Sequence, residues 1–383
     1  LEMGKPIKEA IAEIEKCVKC CRYYAENAKF FLAEQTVTTS YSSSMISYQP
    51  LGVVLAIMPW NFPFWQVFRA VVPAIMSGNV VLLKHAANVP QCAKLIEDLF
   101  LQATFPEGVL QNLFIDHNKI KWVIESQQIA AVTLTGSETA GSRIGELAGR
   151  SIKKTVLELG GSDPFIVLED ANVKEAARTA VRARMTNCGQ SCIAAKRFIV
   201  METVFSDFVR EYVDELLQLK MGDPTDASVD IGPMARQDLA DNLEKQVKES
   251  MRLGAQALIG GGKPHGASGA FFNPTLLVKV RPGMPVFDQE VFGPVASVIT
   301  AKTVNEAIEL ANKTKYGLGA SIWTTDTDKA LRLARQIQAG SVFINEMVVS
   351  HPGLPFGGIK HSGFGRELGE FGIKEFTNVK TIV

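Results

Sequence analysis

From Leu51 onward the chain alternates short apolar runs with amphipathic stretches, and this alternation restricts the possible folds more than any other feature. Residues 52–58, 79–84, 109–115 and 130–135 read as strands, and residues 64–77, 89–104, 119–126 and 138–149 as the helices between and after them. Strands separated by helices need crossover connections, so the pattern predicts a parallel sheet covered by helices. A second series places strands at 164–168, 197–201, 319–324 and 341–345. It places helices at 173–185, 204–219, 235–253, 303–313 and 327–337, with a Gly-rich stretch at 260–269. A length of 383 residues exceeds what one core ordinarily supports, so two α/β domains are expected. Reactive groups in such sheets collect at the carboxyl ends of strands.

The flanks read differently. Residues 6–32 predict an amphipathic helix whose core face is the stripe Ile7, Ile11, Ile14, Val18, Cys21 and Ala25. Residues 36–48, rich in Thr, Ser and Tyr, predict a β-hairpin or arm, and the tail 374–383 a strand that pairs near residue 40. The chain opens without an initiating Met directly before the first helix, so an upstream segment is expected to be absent.

Forty Lys and Arg balance forty Asp and Glu, which gives no support for nucleic acid or an anionic membrane as a general partner. Hydrophobic residues are 46% and charged residues 21%, the profile of a soluble globular chain, and no apolar run is long enough to cross a bilayer. No signal peptide opens the sequence, so a cytoplasmic location is expected. The six cysteines are Cys17, Cys20, Cys21, Cys92, Cys188 and Cys192. Cys17 and Cys20 form a C-x-x-C within the first helix with no second Cys/His pair nearby, and the five histidines do not cluster, so no metal is expected.

Four short segments carry the chemistry: Pro59-Trp60-Asn61-Phe62-Pro63, Leu157-Glu158-Leu159-Gly160-Gly161, Gly189-Gln190-Ser191-Cys192 and Gln289-Glu290-Val291-Phe292-Gly293-Pro294. In this order and at these separations they resemble the aldehyde dehydrogenase superfamily, a resemblance that runs from near Leu1 to Val383. Pro355-Phe356-Gly357-Gly358 and Ser362-Gly363-Phe364-Gly365-Arg366-Glu367 fit it too. The resemblance implies a Rossmann-like cofactor domain (residues 1–34 and 50–159, its N-terminal part absent), an α/β catalytic domain (160–371) and a β-arm for oligomerisation (35–49 and 372–383). A homodimer or homotetramer is then expected.

It also implies a reaction, the oxidation of an aldehyde to an acid through a thioester on Cys192. A thiolate is both a strong nucleophile and a good leaving group. The resemblance gives the oxyanion to the Asn61 side-chain amide and the Cys192 N–H. It gives the base for hydrolysis to Glu158, whose apolar neighbours suggest burial and a raised pKa. Coenzyme A-acylating relatives typically lack that base, so a carboxylic acid product is favoured.

For the cofactor, NADP or NAD, the turn Gly136-Ser137-Glu138-Thr139-Ala140-Gly141 follows a strand and opens a helix, which places N–H groups near a pyrophosphate. The usual G-x-G-x-x-G is lacking. By resemblance Lys84 and Glu290 bind the two riboses, Gly160 and Phe292 flank the nicotinamide, and Trp60 joins this set. Ala87 stands where NAD-preferring members often carry a glutamate, so NADP is allowed. Asp116-His117-Asn118-Lys119 replaces a glycine-rich turn found in many members.

Lys84-His85-Ala86, Ala194-Ala195-Lys196-Arg197-Phe198 and Asn345-Glu346-Met347 resemble the succinate-semialdehyde dehydrogenase branch. That branch binds the substrate carboxylate with an arginine and a serine, here Arg69 and Ser350, with Phe62, Trp65 and Gln66 along the tunnel. A further arginine of some members is Thr186 here. The alternatives left open are a dehydrogenase of broad aliphatic specificity and a non-catalytic scaffold or binding protein on the same fold. A reversible Cys188–Cys192 disulfide is a further expectation to examine.

Overall fold

The computed structural model describes residues 1–266 and 269–383; residues 267 and 268 of the Gly-rich stretch lie outside them. In the first half α1 (Ile7–Phe31) is followed by β1 (Gln35–Thr36), β2 (Met45–Pro50), β3 (Val53–Met58), α2 (Trp65–Met76), β4 (Val80–His85) and α3 (Pro90–Gln102). Then come β5 (Leu110–Asn112), α4 (Ile120–Glu125), β6 (Ile129–Thr135), α5 (Glu138–Arg150) and β7 (Lys154–Glu158). Next are β8 (Pro164–Val167), α6 (Val173–Met185), β9 (Arg197–Met201), α7 (Phe205–Leu216), α8 (Gln237–Arg252), β10 (Gln256–Ile259), β11 (Thr275–Val278), α9 (Pro285–Asp288) and β12 (Val295–Ala301). The chain closes with α10 (Val304–Asn312), β13 (Gly319–Trp323), α11 (Thr327–Ala334), β14 (Ser341–Ile344), β15 (Gly363–Phe364), α12 (Gly369–Lys374) and β16 (Thr377–Ile382).

Two compact units result. One, the Asn61 unit, comprises residues 11–159, 350–357 and 363–383. The other, the Cys192 unit, comprises residues 1–10, 160–349 and 358–362. The unit changes between Leu159 and Gly160. Residues 350–357 and 363–371 do not stay with 160–349, because β15 pairs antiparallel with β7 and draws its flanks into the Asn61 unit.

The Asn61 unit holds a sheet of order β15-β7-β6-β3-β4-β5, parallel except at its β15 edge. The central β3, VVLAIM, is nearly buried along its length, as expected of a parallel strand covered on both faces. A second sheet, β1-β2-β16, pairs the tail with β2 of the expected arm, Val379 opposite Tyr48. The tail strand read from the sequence is present, but the hairpin expected over 36–48 shrinks to two residue pairs between β1 and β2.

The Cys192 unit holds the sheet β10-β11-β12-β9-β8-β13-β14, antiparallel only between β10 and β11. Its core includes Phe165, Phe198, Phe208 and Tyr212, whose rings meet at centroid distances of 5.4–6.3 Å. Asn172 starts α6 by accepting the Glu175 N–H, and Arg182 and Arg184 end it, charges that suit the two helix poles.

The first helix lies where expected, but its core face is another one. Glu13, Cys17, Cys20, Tyr24 and Ala28 are buried, whereas Ile7, Ile11, Ile14 and Val18 are exposed. The physical reason is Glu13. Its Oε1 accepts the N–H groups of Phe64 and Trp65, both at 2.8 Å, and so satisfies the start of α2, where Phe64 supplies no side-chain cap.

Candidate active site

In the Asn61 unit four parallel strands end at one edge, and each delivers a residue singled out in the sequence. β3 ends at Met58, one residue before the Pro59–Pro63 turn that carries a buried Asn61 and half-buried Trp60 and Phe62. β4 carries Lys84, level with Ile57 of β3. β6 runs into Gly136 and Ser137, and β7 ends on Glu158, level with Thr135. The Gly136 N–H donates to the Glu158 carbonyl at 3.0 Å, tying the turn to the end of β7.

Glu158 is 2% exposed, and neither carboxylate oxygen has a hydrogen-bond partner. Burial raises its pKa well above the ordinary carboxylate range. The nearby Glu367 adds to that rise, while Arg69 and Arg366 oppose it. Gly357 keeps the opposite wall close, since a Cβ there would lie 2.6 Å from Glu158 Oε1.

Arg69, expected at the substrate carboxylate, lies on α2. Its side chain is 1% exposed and pairs through Nε with Glu367, while Nη2 lies 3.4 Å from Thr135 Oγ1 and the guanidinium sits 4.4 Å from the Phe356 ring centroid. Its guanidinium thus meets a carboxylate of the chain, Glu367. A buried carboxylate without a cation would be costly, and Arg69 supplies the cation for Glu367.

Ser350 is buried, and its Oγ accepts from Trp65 Nε1 at 2.9 Å and from Lys16 Nζ at 2.7 Å. Gln66, next on α2, is buried with Oε1 lacking a partner. Serine and tryptophan, singled out separately in the sequence, are thus brought into one hydrogen-bonded group.

Lys84, His85, Ala87, Asn112, Phe114 and Asp116 line a cavity of about 190 Å³. Lys84 Nζ donates to the His85 carbonyl at 3.1 Å; burial lowers its pKa, and Asp116 opposes the shift. Asn112 Nδ2 is buried and has no partner, an unsatisfied donor for an oxygen-rich group to meet. Ala87 is exposed and brings no negative charge to this wall. Ser137, also exposed, caps α5 by accepting the Ala140 N–H at 3.3 Å. A ribose with a phosphate fits this combination of lysine and orphaned amide.

In the Cys192 unit Asn187, Cys188 and Gly189 follow α6 with φ of 55°, 54° and 69°, a left-handed run that turns the chain toward Cys192. Only glycine fits the third position, because a Cβ there would strike the Gly293 carbonyl. The turn is held from several sides. Arg184 Nη2 donates to the Gly189 and Gly293 carbonyls, and Lys196 Nζ donates to the carbonyls of Ser191 (3.1 Å), Cys192 (2.8 Å) and Ala194 (3.0 Å). Glu9 Oε2 accepts the Asn187 N–H at 2.8 Å.

Cys192 is partly exposed, whereas Cys188 is buried and its thiol is pushed up to about 12 by burial. Among the described residues no disulfide forms, and Cys188 stays protonated at neutral pH, which disfavours disulfide exchange from it. Gly160 faces Glu290 so closely that a Cβ would overlap the carboxylate, and Glu290 Oε1 accepts the Gly161 N–H at 3.0 Å. A Cβ on Gly161 would lie 2.7 Å from the Cys192 carbonyl, so the Gly160-Gly161 strip runs between Glu290 and the Cys192 turn. Phe292, half-buried, follows two residues after Glu290. Among the described residues no group of His, Cys, Asp or Glu could hold a metal ion, and no helix is long and apolar enough to cross a membrane.

Glu367, Glu13, Lys16 and Lys196 were not singled out by sequence. Glu367 closes the Ser362–Glu367 motif and Lys196 stands in the Ala194–Phe198 motif, so a signal existed for both. Glu13 and Lys16 sit among the many charges of α1, where nothing in the sequence distinguishes them.

The comparisons agree with this geometry. The aldehyde dehydrogenase family model matches residues 1–382, and the chain belongs to that family. It is 53% identical over 382 residues to a probable succinate-semialdehyde dehydrogenase [NADP(+)] of Synechocystis sp., covering 100% of this chain and 84% of the relative. It is 49% identical over 385 residues to the succinate-semialdehyde dehydrogenase [NADP(+)] of Mycobacterium avium, covering 100% and 81%. The crystal structure of succinic semialdehyde dehydrogenase from Streptococcus pyogenes in complex with NADP+ superposes with a TM-score of 0.97 at 38% identity, covering 100% of this chain and 84% of that one.

Proposed function

We propose that the protein oxidises succinate semialdehyde to succinate with NADP as the preferred cofactor, through a covalent thioester on Cys192. One observation supports the mechanism most strongly: Glu158, buried, unsatisfied and with a raised pKa, ends the strand beside the Gly136-Ser137 turn. The substrate and cofactor rest on the likeness to the Synechocystis and Mycobacterium enzymes and on the absence of a carboxylate at Ala87.

In this reading the Cys192 thiolate adds to the aldehyde carbon, and the Asn61 amide with the Cys192 N–H holds the oxyanion. A nicotinamide bound along Gly160, Glu290 and Phe292, with Trp60 beside it, supplies the hydride acceptor. Lys84 and Asn112 hold the far ribose and its phosphate, and the α5 start at Gly136 and Ser137 holds the pyrophosphate. Glu158 then takes a proton from water as that water attacks the thioester, and the Cys192 thiolate leaves. The retained base is why hydrolysis is proposed rather than transfer to coenzyme A. Phe62, Trp65 and Gln66 line the substrate side, and Ser350 binds the distal carboxylate. Arg69 joins Ser350 there, and its pairing with Glu367 opposes the charge around Glu158. The protein is further proposed to act in the cytoplasm as a homodimer or homotetramer, using the β1-β2-β16 arm.

The test is steady-state turnover of succinate semialdehyde and butanal, each with NADP and NAD. The proposal expects a higher kcat/KM for succinate semialdehyde, and for NADP over NAD. Equal or faster use of butanal would give the broad aliphatic alternative instead, and a fully titratable but inert Cys192 would give the non-catalytic one.

A further inference from the structure

The carbonyl oxygens of Ser191, Cys192 and Ala194 converge on Lys196 Nζ, at 3.1, 2.8 and 3.0 Å. A neutral amine has only two N–H groups and an ammonium has three, so three acceptors at hydrogen-bond distance call for the charged form. The side chain is fully buried. Burial works against the charge and lowers the lysine's pKa. Of the other groups that face it, Glu290, Asp163 and Cys192 support the charge and Arg184 opposes it. Burying a cation is costly, and this one recovers that cost through hydrogen bonds to Cys192 and its neighbours.

We infer that Lys196 is a positioning residue for the reaction, one that holds the Cys192 turn and stabilises the Cys192 thiolate with its charge. The inference rests on the reading of Cys192 as the nucleophile and deepens it.

The lysine is itself firmly placed. Its N–H donates to the Asp163 carbonyl at 3.0 Å, and its carbonyl accepts the Ser297 N–H at 3.2 Å. It therefore enters β9 already tied to the start of β8 and to β12. The Cys192 carbonyl that it grips is also packed against Gly161, where a Cβ would lie 2.7 Å from the oxygen. Four bonds separate the sulfur and the carbonyl oxygen of one cysteine, so the ammonium stays within roughly 8 Å of Sγ in any rotamer.

Two effects then favour negative charge at Cys192. The ammonium attracts the thiolate, which is the reactive form. The Ser191 carbonyl and the Cys192 N–H also belong to one peptide group. A hydrogen bond from Lys196 to that oxygen polarises the peptide and makes the N–H a better donor to the oxyanion. A plain structural brace would hold the turn equally well, yet it would leave the ionisation of the thiol where it is.

The test is the pH dependence of Cys192 alkylation by iodoacetamide in wild type, Lys196→Gln and Lys196→Met. Mass spectrometry of the Cys192 peptide keeps the remaining cysteines out of the readout. Glutamine keeps N–H donors for the carbonyls without the charge, and methionine removes both. The inference expects the alkylation midpoint to rise by roughly one pH unit in both variants, about a tenfold loss of thiolate below the midpoint. An unchanged midpoint in Lys196→Gln overturns it and leaves Cys192 as the nucleophile. Thermal unfolding shows whether the variants are folded. If neither is, the wild-type profile decides. A midpoint at or above about 8.5, the value of an ordinary thiol, overturns the inference, and one clearly below supports it. Steady turnover in Cys192→Ala would remove the nucleophile reading itself, and the inference with it.

Discussion

At the scale of single residues, the site is organised by what surrounds its carboxylates. Glu158 has no hydrogen-bond partner and sits near Glu367, whose own charge is met by Arg69. Burial and Glu367 both favour the protonated form of Glu158, so it ionises at higher pH than an exposed glutamate, whose pKa is about 4.3. Only the ionised form can take a proton from water. The hydrolytic step should therefore rise with pH through that elevated pKa and fall away below it, in a range where an ordinary carboxylate would still be fully active. Stopped-flow measurement of thioester breakdown against pH checks this, and a rate flat down to the usual carboxylate range would place the base elsewhere. Cys192, Asn61 and Glu158 were singled out because short motifs carry them. Lys16 and Glu13 were not, because a lysine or glutamate on an amphipathic helix reads as a solvated charge until its tertiary partners are known.

At the scale of elements, periodicity located most helices and strands. α6 and β9 lie at the expected bounds, Val173–Met185 and Arg197–Met201. Three strands of the Cys192 unit, β10, β11 and β12, were not read. β11 and β12 are almost wholly buried, so they lack the alternation that marks a half-exposed strand. α1 shows the opposite failure, since its most apolar stripe faces outward and its buried face carries Glu13. The reason is the connection to α2, whose first amides find their acceptor on α1 rather than on a local cap. Glu13→Ala should lower stability by roughly 1–3 kcal/mol, because it strips the acceptor from two amides at a helix start. Urea unfolding measures the effect, and Glu13→Gln, which retains an acceptor oxygen, should recover part of it. A variant as stable as wild type would show that this cap contributes nothing.

At the scale of the whole molecule, the residues proposed to act are spread over both units. Asn61, Glu158, Lys84 and Ser350 belong to the Asn61 unit, and Cys192, Gly160 and Glu290 to the Cys192 unit. The alternation of strands and helices and the chain length were enough to expect two α/β units, while the expected boundary after residue 159 came with the family resemblance. The capture of 350–357 and 363–371 by the Asn61 unit depends on the antiparallel β15–β7 pairing, which two residues of strand cannot announce in a sequence. The central claim is that Cys192 forms a thioester which Glu158 hydrolyses, so the two half-reactions should separate. The most direct measurement is rapid-mixing absorbance of reduced nicotinamide in Glu158→Gln with excess succinate semialdehyde and NADP. A burst approaching one reduced cofactor per active site, followed by turnover at least roughly a hundredfold slower than wild type, is the expected result for loss of the general base. Wild-type steady turnover in Glu158→Gln, or a burst that persists in Cys192→Ala, would contradict the account.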